Sequence, residues 1–180
     1  MSPKSLVCFT DGSALNNNKD APAGWAFYIP KLKQLRYDSM IGTNNQAELE
    51  AIRQLLLHLN SFKDELFSNI LIYSDSEYSI NAITGKNNVR ANAEVIKEIQ
   101  NLRNSLKKKV GFKHVDAHTG KQDFVSRCND IVDKAAVRAA KKIKNKQREE
   151  TKLQKEIEKL KSEIKKLKIE IEKFENKTKK

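Results

Sequence analysis

The chain is 180 residues long, carries 35 Lys/Arg against 23 Asp/Glu for a formal net charge of +12, and is 38% hydrophobic. That length fits one domain with an appendage, no apolar run is long enough to cross a bilayer, and the residues before Leu6 lack the charged-then-apolar pattern of a signal peptide. The chain is therefore expected to be cytoplasmic or nuclear and not secreted, with polyanions as partners, nucleic acid first and acidic membrane surfaces second.

The charge is uneven. Residues 141–180 hold 16 Lys/Arg and 8 Asp/Glu, whereas residues 1–140 hold 19 and 15. Two parts are expected: a globular domain over 1–143 and a basic helical extension over 144–180. Cys8 and Cys128 are far apart and form no CxxC, so they read as buried or incidental thiols in a reducing compartment.

In chain order, Leu6–Thr10 is apolar and reads as a strand that ends at Asp11, followed by Gly12, Ser13 and three asparagines. Residues 23–30 (AGWAFYIP) form a second strand and 34–41 (QLRYDSMI) a third, joined by a short hairpin connection. Leu49, Ile52, Leu56 and Leu59 recur at helical spacing in NQAELEAIRQLLLHL. Residues 69–74 (NILIYS) are a buried strand. SEYSINAIT is a short helix closed by Gly85, and NAEVIKEIQNLRNSL is another helix. Residues 110–117 (VGFKHVDA) make a fifth strand, HTGKQDFVSRC a polar loop, and from Asn129 onward no Gly or Pro interrupts a helical pattern. The fold class expected is α/β: a mixed five-stranded sheet flanked by helices, with the last two strands parallel to the first.

Four acids stand at element termini among small or apolar neighbours: Asp11, Glu48, Asp75 and Asp133. If the first and fourth strands are parallel neighbours, Asp11 and Asp75 emerge side by side at the carboxyl edge of the sheet, where ligands bind in such sheets. Clustered carboxylates repel one another, and a divalent cation resolves the repulsion. Oxygen-only ligands suit Mg²⁺ or Mn²⁺ rather than zinc. Two such ions about 4 Å apart activate a water and stabilise the leaving oxygen in phosphodiester hydrolysis. Asp130 competes with Asp133, one helical turn away.

The run TDGS, TNNQAEL, YSDSEYSINAI, HTG and NDxxDxAA, in that order, resembles the type 1 ribonuclease H family over residues 5–140. The resemblance implies a ribonuclease H-like fold and Mg²⁺-dependent endonucleolytic cleavage of the RNA strand of RNA/DNA hybrids, leaving 5′-phosphate and 3′-hydroxyl ends. It implies that Asp11 bridges two Mg²⁺ ions (with Mn²⁺ able to substitute) and that Glu48 and Asp75 hold the ion on the leaving-group side. Asp133 would lie near the ion that activates water. His118 matches the loop histidine that helps product leave or carries a proton. His58 and His114 read as structural or solvated.

Telling RNA from DNA requires contact with 2′-hydroxyls. Thr43, Asn44, Asn45 and Gln46 lie just before Glu48, on the same edge. By resemblance, Asn17, Asn44 and Asn45 contact sugars near the cut, and Thr43 and Asn92 hold a DNA phosphate. The plainer reading is that these are turn and helix-cap residues. Three departures stand out. Ile41 replaces an arginine that some members carry, the stretch from Thr84 to Asn92 lacks a basic tryptophan-containing protrusion, and the loop before Asp133 is long.

The extension is the most regular part. Leu153, Ile157, Leu160, Ile164, Leu167, Ile171 and Phe174 are spaced 4-3-4-3-4-3, a heptad seam with Ile at a and Leu at d, which favours a parallel two-stranded coiled coil. Glu156, Glu163 and Glu170 fall at g and Lys161 and Lys168 at e, so a parallel pair matches opposite charges. A parallel homodimer through residues 150–175 is thus the expectation, against a lone charged helix or a stripe packed back on the domain. The Lys-rich outer face would add positive charge toward a hybrid. KKIKNKQR is also compatible with a nuclear-import patch.

The alternative from another class is a catalytically idle coiled-coil nucleic-acid-binding module on the same fold. Unused clustered acids would repel a polyanion, which argues against it. Integrases, transposases and resolvases share the fold but lack the TNNQAEL groups. DEDD exonucleases show Asp-x-Glu where this chain has Asp11-Gly12-Ser13.

Overall fold

A computed structural model describes the backbone of residues 5–16, 18–61, 67–86, 90–116 and 121–178, and side chains within these as far as 169 and at 171. The chain divides into two compact units, Met1–Ile143 and Lys144–Lys180.

The first unit is built on β1 (Ser5–Ala14), β2 (Pro22–Ile29), β3 (Gln34–Ile41), β4 (Asn69–Ser74) and β5 (Lys109–His114), in the spatial order β3-β2-β1-β4-β5. The hairpin partners β1–β2 and β2–β3 are antiparallel, and β1–β4 and β4–β5 are parallel. The helices are α1 (Asn44–Ser61), α2 (Glu77–Thr84), α3 (Ala93–Ser105) and α4 (Phe124–Thr178). This is the mixed five-stranded α/β architecture expected from the pattern of apolar runs. Among the described residues no helix is long and apolar enough to cross a membrane.

Side chains alternate across the sheet with period two. One face gathers Leu6, Cys8, Phe27, Ile29, Ile70 and Ile72 under Leu49, Ile52, Leu55 and Leu56 of α1. The other gathers Phe9 and Ala26 under Cys128, Val132, Ala135 and Ala136 of α4. The two cysteines are free and buried in different clusters. Burial pushes the Cys8 thiol up to about 12, so it stays protonated and inert.

Close contact at Gly24 sets α4 on the sheet. A methyl group there would collide with the Ala136 carbonyl and come within 2.6 Å of Ala139 Cβ. The small residues of α4 and the missing Cβ of β2 let helix and strand meet almost backbone to backbone. Ser39 Oγ on β3 donates to the Ala139 carbonyl at 2.8 Å and pins the same turn.

Three boundaries differ from the sequence expectation by three residues or more. β1 does not stop at Thr10 but continues to Ala14, because β2 goes on pairing with it through Ala14↔Ala23. α4 starts at Phe124, not Asn129, because Asp123 caps it: the Ser126 N–H and Oγ donate to the two Asp123 carboxylate oxygens at 2.9 and 3.0 Å. The stretch 124–128 is therefore helix rather than loop. β5 ends at His114, although the Val115 N–H still donates to the Ser74 carbonyl at 3.1 Å. Ala117, the expected end of that strand, lies outside the described residues.

Candidate metal centre and nucleic-acid edge

The register of β1 creates the site. Its parallel pairing with β4 ends at Phe9↔Tyr73, while its antiparallel pairing with β2 continues past Asp11↔Ala26. Asp11 is thus inside a strand, held straight by β2, at the level where β4 has run out. Asp75 follows directly on β4. The two carboxylates emerge at one edge, as parallel pairing predicts.

Glu48 arrives by a different device. Any Cβ at position 12 would overlap the backbone of Ala47 and Glu48. Gly12 lets the first turns of α1 rest directly on β1, which sets Glu48 beside Asp11. One oxygen from each of Asp11, Glu48 and Asp75 lies within 4.8 Å of the others. Asp11 and Glu48 are each only 4% exposed.

Such crowding makes ionisation costly. Burial first, then the charges of Asp75 and Asp133, raise Asp11 from 3.8 to about 8, against hydrogen bonds from Glu48 and from the Gly12 N–H at 2.8 Å. Glu48 is held well above its ordinary value by burial and by Asp11. Asp75 is raised by burial, and its hydrogen bond with Asn129 opposes the shift.

The donor set fits a hard cation. Buried Glu48 Oε2, Asp75 Oδ1 and Asn129 Oδ1 have no hydrogen-bond partner among the described residues. Unpaired buried acceptors are costly, and oxygens of this kind are the ligands that Mg²⁺ or Mn²⁺ takes. A divalent cation would satisfy acceptors that the protein itself leaves orphaned.

Asp133 is half-buried on α4, one residue after Val132 in the second core cluster, and its charge acts on both Asp11 and Asp75. Asp130, one turn earlier on α4, is likewise half-buried. His118 and Asn17 lie outside the described residues.

Around Glu48 the polar residues have structural duties. Thr43 and Gln46 form a reciprocal capping box on α1: the Gln46 N–H donates to Thr43 Oγ1 at 3.3 Å, and the Thr43 N–H donates to Gln46 Oε1 at 2.9 Å. Asn44 Oδ1 accepts from the Ala14 N–H at 3.1 Å and ties the helix start to the end of β1. Asn45 is exposed. Asn92 has a left-handed backbone (φ 62°) before α3, and its amide donates to Tyr78 Oη at 3.1 Å. Asn92 and Gln46 share a cavity of about 310 Å³ with Ile41, Glu50 and Glu94.

Two contributors escaped the reading of motifs. Asn129 sits four residues before Asp133, on the same helical face, and that spacing was the available signal. Gly12 was visible inside TDGS, but its role as the seat of α1 needs the tertiary contact. His114 Nε2 lies 3.1 Å from the Asp75 backbone carbonyl, a buttress behind the site. His58 bonds Gln34 Oε1 at 2.8 Å and packs on Phe27.

A family model described as RNase H matches residues 3–141. The chain belongs to the ribonuclease H family. Among curated relatives, a ribonuclease H from Tropheryma whipplei (strain Twist) is 32% identical over 153 residues, covering 78% of this chain and 87% of the relative. A ribonuclease HI from Haemophilus influenzae is 31% identical, covering 77% and 91%. The fold is similar to that of LC11-RNase H1, isolated from compost by a metagenomic approach and solved in complex with an RNA/DNA hybrid: TM-score 0.63, 23% identity, 77% of this chain and 98% of that one. RNase H1 from Halobacterium salinarum matches with a TM-score of 0.60 at 20% identity, covering 77% and 99%. As a ribonuclease H the chain is a hydrolase acting on phosphodiester bonds, and its family generally uses a divalent metal, for which the acidic triad is suited.

Proposed function

We propose that this ribonuclease H cuts the RNA strand of RNA/DNA hybrids endonucleolytically, with two Mg²⁺ ions, leaving 5′-phosphate and 3′-hydroxyl ends. The observation that carries the reading is the triad of Asp11, Glu48 and Asp75 with its orphaned oxygens. When bound, the ions supply Lewis-acid chemistry, lowering the pKa of water and stabilising charge on the leaving oxygen; Mn²⁺ has the same ligand preferences and would substitute.

The residues divide the remaining work. Asp11, on the paired part of β1, would be the central ligand of the set. Glu48 and Asp75 would hold the ion that stabilises the leaving oxygen, and Asp133 would support the one that activates water. Burial keeps competing water out and strengthens each contact. Water oxygen bonds to phosphorus as the bond to the 3′-oxygen breaks; that oxygen leaves with the electron pair and takes a proton. His118 is assigned to proton movement or product release on the strength of its place in HTG.

Asn17, Asn44 and Asn45 are assigned to the sugar edges next to the cut. Thr43 and Asn92 are assigned to one DNA phosphate and Gln46 to the edge beside Glu48; Glu50 and Glu94, which share a cavity with Gln46 and Asn92, make the phosphate hold weak. A cytoplasmic or nuclear site of action fits a nucleic-acid substrate. The test is cleavage of a labelled hybrid with Mg²⁺ beside duplex RNA and duplex DNA. Hybrid-only cutting that Asp75→Asn abolishes is the expected result. Firm hybrid binding without cutting in Mg²⁺ or Mn²⁺ would favour an idle binding module instead.

A further inference from the structure

The second unit carries a feature that nuclease chemistry does not use. Leu153, Ile157, Leu160, Ile164, Leu167 and Ile171 fall on one seam of α4, and each is between 40% and 59% exposed. An apolar face of that length left in water costs stability that a partner helix would recover. Ile169 is similarly exposed but lies outside the seam.

We propose that this seam pairs with the seam of a second copy, in parallel and in register, as a two-stranded coiled coil that makes the enzyme bivalent. The bivalence rests on the hybrid-nuclease reading; the pairing does not. Three features select the occupant. Ile at the a positions 157, 164 and 171 with Leu at the d positions 153, 160 and 167 favours two strands over three or four. Charges flank the seam in the order a parallel pair requires: Glu156 faces Lys161 of the other copy, and Glu163 faces Lys168. An antiparallel pair would set Glu against Glu and Lys against Lys. The ion pairs now made within the helix, Lys161–Glu158 at 2.8 Å and Lys159–Glu163 at 3.9 Å, are exposed and exchange partners at little cost.

The third feature sets where pairing begins. In the heptad before Leu153 the seam positions are Lys146 (d) and Glu150 (a), which pair with each other along one helix at 3.8 Å. Facing their own copies they would repel. The coil therefore starts at Leu153 and leaves the basic stretch Lys144–Arg148 unpaired. Because the strands are parallel, both catalytic units join the coil at its N-terminal end, the arrangement in which one long hybrid can occupy both.

Sedimentation of the full chain at tens of micromolar, without nucleic acid, reads the pairing: a dimer is expected, and Leu160→Asp should return it to monomer. A monomeric parent, or a trimer, overturns the proposal. Leu153→Cys reads the direction. In a parallel pair the two introduced thiols meet and oxidise to a crosslinked dimer; in an antiparallel pair they stand about 27 Å apart across the seam and stay free. Cys8 and Cys128 are buried and do not compete. Dimers that fail to crosslink overturn the parallel arrangement. Bivalence is read with catalysis blocked by Asp75→Asn: on a hybrid long enough for two units, adding Leu160→Asp should weaken binding at least about tenfold, with little change on a hybrid that fits only one. Equal weakening on both lengths, or none, overturns bivalence while leaving the coil intact. Loss of hybrid cutting by the parent would instead count against the nuclease reading alone.

Discussion

The sheet edge and the C-terminal seam are incomplete in opposite ways. At the edge, the apolar groups behind the acids are packed and, among the described residues, three buried polar oxygens have no partner. Along the seam, charged groups pair with neighbours on the helix and six large apolar side chains face water. The first region lacks positive charge and the second lacks apolar contact. Each deficit names what would fill it: a hard cation in one case, a matching helix in the other.

The comparison breaks most visibly at Asp75. Asp75→Asn should lower hybrid cleavage at least about 10³-fold, as expected for a group acting in the transition state, with binding measurable by fluorescence anisotropy and little changed. Retained cutting would mean that the triad is not the reaction centre. Gly12→Ala comes next. The added methyl forces α1 off β1 and moves Glu48 from Asp11; displacements near 1 Å cost about 10²-fold in rate. Steady-state kinetics with a circular-dichroism melt would separate lost geometry from lost folding.

A third prediction concerns pH. Native Asp11 keeps its proton up to about 8, whereas the unfolded carboxyl loses it near 3.8. Between those values the native state holds the extra proton, so Asp11 lowers stability progressively as pH climbs from about 4 to 8. Asp11→Asn removes that penalty. In EDTA at pH 8 the variant should be measurably more stable than the parent, and the gain should vanish near pH 4. Saturating Mg²⁺ should narrow the gap by stabilising the parent. A less stable variant at pH 8 would show that the acids are not in conflict. Asn129→Ala should weaken Mg²⁺ affinity about tenfold, the range seen when a group behind a ligand is lost, as followed by activity against metal concentration. The smallest effect belongs to the seam: Ile157→Ser should leave the melting of the catalytic unit within about 0.5 kcal/mol.

Much of this was legible in the residues. Apolar runs and their periods mark the sheet and α1 to α3, because each run is bounded by turn residues. Asp11 and Asp75 are legible because carboxylates seldom close the apolar run of a buried strand without a reason, and Glu48 and Asp133 because each stands among small or apolar residues near the start of a helical pattern. The misses have physical causes. β1 outlasts its apolar run because β2 supplies hydrogen bonds to Gly12, Ser13 and Ala14, whatever their side chains. α4 begins early because one aspartate, Asp123, satisfies the free N–H groups of a turn whose composition reads as loop. Thr43 and Gln46 cap α1 as well as standing near Glu48, and a motif does not tell the two duties apart. Asn129 escaped because an amide beside an aspartate on a polar stretch carries no signal until the helix face is known.

Gly12 has a wider consequence. Two of the acids owe their positions to a contact between main chains, β1 against the start of α1, rather than to the shapes of the side chains packed behind them. Core residues can then be exchanged for others of similar volume without moving the oxygens that meet the metal. Sequence drift in the interior and constancy at the edge become independent, and a protein built this way can change most of its residues while its chemistry stays where it was.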